Sequence, residues 1–169
     1  PSLTLNTACS AGGGAIMTAT MLLNSGEADA VLAVGGESIL CPIVVSGLAQ
    51  AKALSRRNDD PEHACRPFDA DRDGFVIGEG GGALLIETEE HAVKRGATIY
   101  ARLAGWANTS DAHHVTAPCP DGEGAARCMK LALARAEMRP SDIGYINAHG
   151  TSTPLGDKAE TLAVKAVFG

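Results

Sequence analysis

Cys9 is the side chain best suited to nucleophilic chemistry in this sequence. It lies in the segment TACSAGGG (residues 7–14), whose small residues leave room for a substrate group and allow a tight turn. A helix predicted from Ser10 to about Asn24 places the thiol at a helix N-terminus, where unpaired N–H groups and the helix dipole favour the thiolate. The segment predicts a nucleophile, although a small packing residue is an equally good interpretation of a cysteine taken alone.

His149 is the second candidate, in the segment NAHGTSTPLGD (residues 147–157). The hydroxyl groups that follow it, on residues 151–153, offer several hydrogen-bond donors directed at one small space. The competing interpretation is a surface turn, because Thr, Ser, Pro, Gly and Asp are ordinary turn and helix-cap residues.

Both candidates follow a predicted strand and precede a predicted helix. Residues 2–6 and 143–147 alternate as strands do, and helices are predicted at residues 10–24 and 157–168. Ligands bind at the carboxyl edge of the strands in open α/β sheets. We therefore expect Cys9 and His149 to share one cleft.

The remaining elements also alternate, which predicts an α/β fold without internal repeats or a low-complexity linker. The run at residues 30–34 is continuously apolar and predicts a strand that is buried on both faces. Further predicted strands lie at residues 75–77, 83–87 and 99–106, and further helices at 48–54, 89–95 and 123–138.

Composition excludes several classes of protein. The chain has 169 residues, of which 45% are hydrophobic and 20% charged, as in globular domains. Its net charge of -6 argues against nucleic-acid binding. No apolar run is long enough to cross a bilayer, so no membrane association is expected.

The five cysteines lack CxxC spacing, which favours reduced thiols and a cytoplasmic location. Of these, we interpret Cys65 as a loop thiol and three others as packing residues: Cys41, Cys119 and Cys128.

Three motifs imitate metal or nucleotide sites, and we expect none of them to bind. Residues 69–74 resemble the start of a calcium loop, but its closing Glu would fall on Gly80. The glycine run at residues 78–83 leads into the strand-like LLIE and not into a phosphate-binding helix. A zinc site would need irregular spacing among His113, His114, Cys119 and Cys128.

Three separated segments together carry a family resemblance that covers essentially the whole chain. They are TACSAG around Cys9, ALSRRNDDPEHACRPFDADRDGFVIGEGGGALLIE in the middle, and NAHGTSTPLGDKAE around His149. In this order they resemble the β-ketoacyl-[acyl-carrier-protein] synthases, and most of all the II-type elongating synthases. Polyketide ketosynthases typically read DTACSS and EAHGTGT at these places, and they remain the alternative. A non-catalytic chain-length-factor-like partner would lack the cysteine, and a degradative thiolase would lack HGTSTPLGD.

The resemblance implies a thiolase-like, layered α-β-α-β-α fold, present here in part, and an acyltransferase that works as a cytoplasmic homodimer. Residues 1–169 would form a single portion of a ketosynthase domain, with about 1–105 ending its N-terminal half and about 106–169 starting its C-terminal half. Acyl groups would arrive on the phosphopantetheine arm of acyl carrier protein, without a further cofactor or metal. They would move to Cys9 and then undergo decarboxylative condensation with malonyl-carrier, which extends a fatty acid chain.

Roles for individual residues also follow from the resemblance. His149, as a neutral imidazole, would donate a hydrogen bond to the enolate, and the Cys9 backbone N–H would form half of the oxyanion hole. Thr151 and Thr153 would hold the pantetheine arm, with Thr116 near the mouth of its channel. Glu160 resembles the carboxylate that orients a catalytic lysine. The acidic carrier needs a basic docking surface, and the candidates are Lys52, Arg56 and Arg57, although a solvated charged loop explains them equally well.

The family pattern also includes a catalytic lysine, a second histidine and a gating loop, and the sequence offers no match for them. Lys158 and Lys165 fall at the wrong places to replace the lysine. Because the chain opens on Pro1 without an initiator Met, it looks cropped. We expect residues 1–169 alone to be unable to complete a condensation, and to expose apolar surface.

Overall fold

Two antiparallel strands and two helices build the part of the chain that carries Cys9. The computed structural model describes residues 2–169, and this first unit comprises the residues up to Ser38 together with Glu79–Leu103. Its elements in chain order are α1 (Ala11–Asn24), β1 (Ala30–Glu37), β2 (Gly80–Glu87) and α3 (Glu89–Lys94).

The sheet of the first unit is covered on one face. β1 pairs with β2 so that Ala30 lies opposite Glu87, and α1 packs against both strands. Ala33 is only 8% exposed, whereas its neighbours Leu32 and Val34 are 62% and 59% exposed. The prediction of a strand buried on both faces is therefore wrong for β1, because α1 shields alternate residues only.

A carboxylate joins β2 to α3 at the far end of this sheet. Glu87 accepts hydrogen bonds from the Arg95 guanidinium and from Nδ1 of His91, the latter at 2.7 Å. The Arg95 guanidinium, and then His91, lower the pKa of Glu87 to about 2. Thr88 begins α3 by accepting a hydrogen bond from the His91 backbone, which agrees with the predicted helix.

The second unit is mainly helical and carries His149. It comprises Ile39–Gly78 and Ala104–Gly169. Its α-helices are α2 (Pro42–Gln50), α4 (Glu123–Ala136) and α5 (Pro154–Phe168), with short 3₁₀ helices at Pro61–His63 and Pro140–Asp142. α4 packs against α5.

Three helix boundaries differ from the predictions for local reasons. α2 begins at Pro42, six residues before the predicted start, because proline is well suited to the first helical position. α4 ends at Ala136 because Glu137 adopts a left-handed backbone with φ 54°. α5 begins at Pro154 because the Thr153 hydroxyl accepts a hydrogen bond from the backbone N–H of Gly156.

Four predicted strands are absent from the described residues, namely 2–6, 75–77, 99–106 and 143–147. Outside β1 and β2, residues 2–169 contain only the isolated bridges Thr7–Cys9 and Leu54–Phe75. An alternating sequence supplies one side of a ladder, and a strand forms only where a neighbour supplies the other side. The predicted exposure of apolar surface is confirmed: large apolar side chains with half or more of their surface exposed include Leu32, Ile43, Leu84, Leu85 and Val115.

Gly105 allows its segment to approach α4 closely. A Cβ at this position would lie 2.4 Å from the carbonyl oxygen of Ala132 and 2.8 Å from the nitrogen of Ala136. We expect Gly105→Ala to lower the free energy of unfolding by about 1–3 kcal/mol, because backbone atoms would have to move apart. Urea denaturation measures the change. Gly144→Ala is the control, since a Cβ there meets nothing within 4 Å, and equal midpoints for both variants would contradict the prediction.

Candidate active site

The Cys9 thiol is exposed on a strained turn at the start of α1. Ala8 has a φ of 52°, which is uncommon for a residue with a side chain. The turn is closed by the backbone N–H of Ala11, which donates to the Ala8 carbonyl at 3.0 Å. Ser10 Oγ donates to the carbonyl of Thr7 at 2.8 Å and lies 3.0 Å from the Thr7 hydroxyl. In this structure Cys9 is therefore presented to solvent rather than used for packing.

The first turn of α1 leaves open space beside this thiol. A Cβ at Gly12 or Gly13 would meet nothing within 4 Å. A groove of about 310 Å³ runs between α1 and the sheet, lined by residues that include Gly12, Ile16, Ala33 and Val34. Gly12, three residues after Cys9, thus borders an apolar space within the first unit.

The backbone of His149 is held by the side chain of Glu160. One carboxylate oxygen accepts the N–H of His149 at 2.7 Å, and the other accepts the N–H of Gly150 at 2.8 Å. His149 itself is exposed, and Gly150 has a φ of 50°. Because α5 carries Glu160, the helix fixes the main chain from which the imidazole projects.

Two fully buried polar residues follow this clamp, and one of them, Ser152, carries a hydroxyl expected from the sequence to face the site. Ser152 is 0% exposed and has a φ of 66°, and Asp157 is 1% exposed. The Asp157 carboxylate accepts the backbone N–H of Ser152 at 3.1 Å and of Phe68 at 2.7 Å, and it pairs with Arg72. Phe68 and Arg72 lie more than 80 residues before Asp157 along the chain, so only the fold brings them to it.

The hydroxyl groups of Thr151 and Thr153, which follow His149, are hydrogen-bonded to each other. Their hydroxyl oxygens are 2.8 Å apart, and Thr153 also caps α5. Thr116 lies in an exposed loop, where its backbone N–H donates to Nδ1 of His114 at 3.1 Å. The binding roles of all three threonines stay predictions.

The basic cluster is the set of candidate docking residues Lys52, Arg56 and Arg57. Two of them are exposed, and the side chain of the third is hydrogen-bonded. Lys52 and Arg56 are exposed, whereas Arg57 is half-buried and its guanidinium donates to the Asp71 carbonyl at 3.0 Å. The Arg56 backbone N–H donates to Asp73, whose pKa is lowered first by the Ser55 hydroxyl and then by this N–H.

The acidic residues that imitate a calcium loop are used within their own loop. Asp69 accepts the backbone N–H of Asp71 at 2.8 Å and pairs with Arg66, and both interactions lower its pKa. Within residues 2–169, no group of three or more His, Cys, Asp or Glu side chains could hold a metal ion.

The other cysteines differ in exposure. Cys65 is exposed, as expected of a loop thiol, and so is Cys41, so the packing role predicted for Cys41 is wrong because it lies at the solvent-facing start of α2. Cys128 is half-buried and its thiol donates to the Ala107 carbonyl at 3.4 Å. The neighbouring Asp121 carboxylate raises the pKa of Cys119.

Comparison with known proteins decides which family this site belongs to. Residues 1–92 match the model of the β-ketoacyl synthase N-terminal domain, and residues 100–169 match that of the C-terminal domain. The chain belongs to the β-ketoacyl synthase family. It is 52% identical to 3-oxoacyl-[acyl-carrier-protein] synthase 2 of Synechocystis over 96% of its own length, and 52% identical to the enzyme of that name from Rhizobium meliloti over 100%.

A solved structure supports the same assignment. A type II polyketide synthase acyl-carrier protein in complex with its ketosynthase, bound to the hexaketide, matches 96% of this β-ketoacyl synthase chain with a TM-score of 0.93 and 44% identity. The predicted α/β, thiolase-like fold class is thereby confirmed. The chain spans 39% and 40% of the two curated relatives and 40% of the solved chain.

Cys9 and His149 belong to different units of the chain, the first and the second. Their meeting in one cleft, and the boundary predicted near residue 105, stay predictions. Among residues 2–169, no helix combines the length and apolar character that crossing a membrane requires.

Proposed function

We propose that the protein containing this chain is a 3-oxoacyl-[acyl-carrier-protein] synthase that extends fatty acid chains. The observation that carries the proposal is the pair of turns: an exposed thiol at the start of α1, and an exposed imidazole whose main chain is clamped by Glu160. Both lie in segments that match the family models, and the relatives carrying the synthase name are about half identical to the chain.

Cys9 accepts the acyl group in the first half of the reaction. The Cys9 thiol gives up its proton, its thiolate attacks the carbonyl carbon of the acyl thioester, and the bond from that carbon to the carrier sulfur breaks. The carrier sulfur takes up the proton and leaves as a thiol. The Cys9 backbone N–H forms half of the oxyanion hole for the tetrahedral intermediate. The exposure of the thiol supports this role, because a carrier-bound substrate has to reach it.

His149 acts in the second half, on malonyl-carrier. The bond to the carboxylate breaks, carbon dioxide leaves, and the electron pair forms an enolate whose oxygen accepts a hydrogen bond from the imidazole. The enolate carbon attacks the Cys9 thioester, and the Cys9 thiolate is released. The imidazole can stabilise the enolate only if its donor nitrogen has a fixed position. Glu160 supports this role because its carboxylate holds the backbone N–H groups of both His149 and Gly150.

The carrier and its pantetheine arm define the remaining roles. Thr151 and Thr153 hold the arm, and Thr116 borders its channel. The reaction needs no cofactor or metal beyond the carrier's own arm. A homodimer in the cytoplasm is the form proposed for the enzyme, on the basis of the resemblance and of the unpaired cysteines.

A polyketide ketosynthase is the second candidate function. The solved ketosynthase with a TM-score of 0.93 is from a type II polyketide synthase and was bound to its acyl-carrier protein. Fatty acid elongation is favoured because identity to the curated relatives is 52%, against 44% for the polyketide enzyme, and because the chain reads NTACSA and NAHGTST.

The test joins this chain to the regions that its relatives have beyond it. Fatty acyl-carrier and malonyl-carrier are supplied, and product formation is followed by mass spectrometry together with iodoacetamide alkylation of each cysteine. We expect a β-ketoacyl product two carbons longer than the starting acyl chain, and alkylation at Cys9 faster than at Cys65, although both thiols are exposed. Condensation restricted to polyketide intermediates would favour the second candidate, and equal alkylation rates without any product would contradict both.

Carrier docking is tested by reversing charge at the exposed members of the basic cluster. We expect Lys52→Glu with Arg56→Glu to raise KM for the acidic carrier substrate by about 10-fold and to leave small thioester substrates unaffected, because only the carrier presents a charged surface. Lys130→Glu, at an exposed position of α4, is the control and should change neither KM. Equal effects on carrier and small substrates would contradict the docking role.

A further inference from the structure

The loop from Arg66 to Gly74 is fastened to the turn that follows His149. The backbone N–H of Arg66 donates to Ser152 Oγ at 3.2 Å, and the backbone N–H of Gly74 donates to the Ser152 carbonyl at 3.0 Å. The Phe68 backbone N–H donates to Asp157 at 2.7 Å. Ser152, although fully buried, thus has its side chain and its carbonyl satisfied by a segment more than 75 residues earlier in the chain.

The Arg72 guanidinium supplies the positive charge between this loop and the turn after His149. Its Nε donates to the Thr153 carbonyl at 3.2 Å and lies 3.4 Å from a carboxylate oxygen of Asp157. One terminal nitrogen donates to the Pro154 carbonyl at 2.7 Å, and the other donates to the Asp69 carbonyl at 2.7 Å. One side chain therefore binds three residues of the 153–157 segment and one residue of its own loop.

The turn needs such support because its backbone is strained. Ser152 has a φ of 66°, and the left-handed conformation of a residue with a side chain persists only where its surroundings enforce it. Asp157 enforces it by accepting the Ser152 N–H at 3.1 Å. The Asp157 carboxylate is 1% exposed and has lost most of its contact with water, and the Arg72 guanidinium is the cationic partner that compensates for this. The Phe68 ring completes the contact, since a Cβ added at Gly150 would lie 3.3 Å from it.

We propose that Arg72, acting through Asp157, is a positioning residue that fixes the 150–153 turn and thereby places the His149 imidazole. This inference rests on the proposed function for its catalytic readout. It assigns to Arg72 an effect on the malonyl half-reaction, where a displaced hydrogen-bond donor is costly, and none on acyl transfer to Cys9, which does not use the imidazole in that way.

The experiment measures the two half-reactions separately in the enzyme that contains this chain. Arg72→Met is expected to lower kcat for malonyl-carrier decarboxylation by about 100-fold and to leave the rate of Cys9 acylation within about twofold. Arg72→Lys is the second variant, in case the first folds poorly. It keeps the charge but loses the planar fork that reaches several acceptors, so a loss of about 10-fold is expected.

Two comparisons separate positioning from stability. Arg135→Met is the matched control, because Arg135 donates to the Trp106 carbonyl at 2.7 Å and stacks over its ring, with no bond to the 149–157 segment among its recorded interactions. It should lower the melting temperature without changing the ratio of the two half-reactions. In a His149→Ala background, Arg72→Met should cause no further loss of decarboxylation, since it acts through His149.

A third measurement tests the connection in the same enzyme, without catalysis. Amide hydrogen exchange at His149 and Gly150 should accelerate about 10-fold or more in Arg72→Lys and stay unchanged in Arg135→Met. Unchanged exchange, equal losses in both half-reactions, or a full additive loss in the His149→Ala background would each overturn the proposal. A wild-type enzyme without condensation activity would refute the proposed function instead, and the exchange measurement would still decide whether Arg72 holds the turn.

Discussion

Cys9→Ser is expected to abolish condensation, with a loss of about 10³-fold or more in kcat/KM. The substitution exchanges one atom on an exposed turn, so the turn itself should survive. A serine hydroxyl is a much weaker nucleophile than a thiolate near neutral pH. The acyl-enzyme, observed by intact-mass spectrometry after incubation with acyl-carrier, should disappear together with the product.

Cys65→Ser provides the matched control for this experiment. Cys65 is also exposed and also lies in a family-matching segment, but it belongs to a loop and not to a turn at a helix start. Its variant should retain the acyl-enzyme and normal condensation. An acyl adduct that persists in Cys9→Ser, or that is lost in Cys65→Ser, would show that the nucleophile lies elsewhere.

The helices of this chain could be predicted from sequence better than its strands. α1 follows from the apolar run after Cys9, and α5 follows from the residues after His149. α5 begins three residues before its predicted start at residue 157, because Thr153 caps the helix and Pro154 occupies its first position. Helices carry their hydrogen bonds within one segment, so a local pattern suffices to predict them.

The strands depend on partners that a local pattern does not specify. Residues 143–147 alternate like a strand, yet no described segment forms a ladder with them. β2, in contrast, begins at Gly80 and not at the predicted residue 83, because β1 supplies a partner at every position from Ala30 to Glu37. Pairing rather than composition decided both cases.

The candidate catalytic side chains could be proposed from sequence because their motifs are contiguous, but the contacts that hold them could not. Cys9, His149 and Glu160 all lie in segments whose residue types point to chemistry. Arg72 gives no such signal, since an arginine among aspartates reads as a solvated loop, and its bonds to Thr153 and Pro154 span more than 80 residues. The left-handed backbone conformations of Ala8 and Ser152 could not be predicted from sequence either, because neither alanine nor serine requires such a conformation.

His149→Ala is expected to separate the two halves of the reaction. Removing the imidazole deletes the hydrogen bond to the enolate oxygen, and loss of one such donor lowers kcat by about 10²- to 10³-fold. Acyl transfer to Cys9 should continue at nearly the wild-type rate, so the acyl-enzyme should accumulate when both substrates are present. The clamp should also persist, because Glu160 accepts backbone N–H groups that alanine retains.

Release of labelled carbon dioxide from malonyl-carrier measures the loss, and intact-mass spectrometry measures the acyl-enzyme. His63→Ala is the control, since His63 belongs to the same unit and has a side chain that is 71% exposed and paired only locally with Asp60. It should affect neither half-reaction. A His149→Ala enzyme that still decarboxylates normally would remove the imidazole from the mechanism, and one that fails to acylate Cys9 would mean that His149 activates the thiol and does not stabilise the enolate. Only accumulation of the acyl-enzyme with slow decarboxylation agrees with a nucleophile and a hydrogen-bond donor that act in succession.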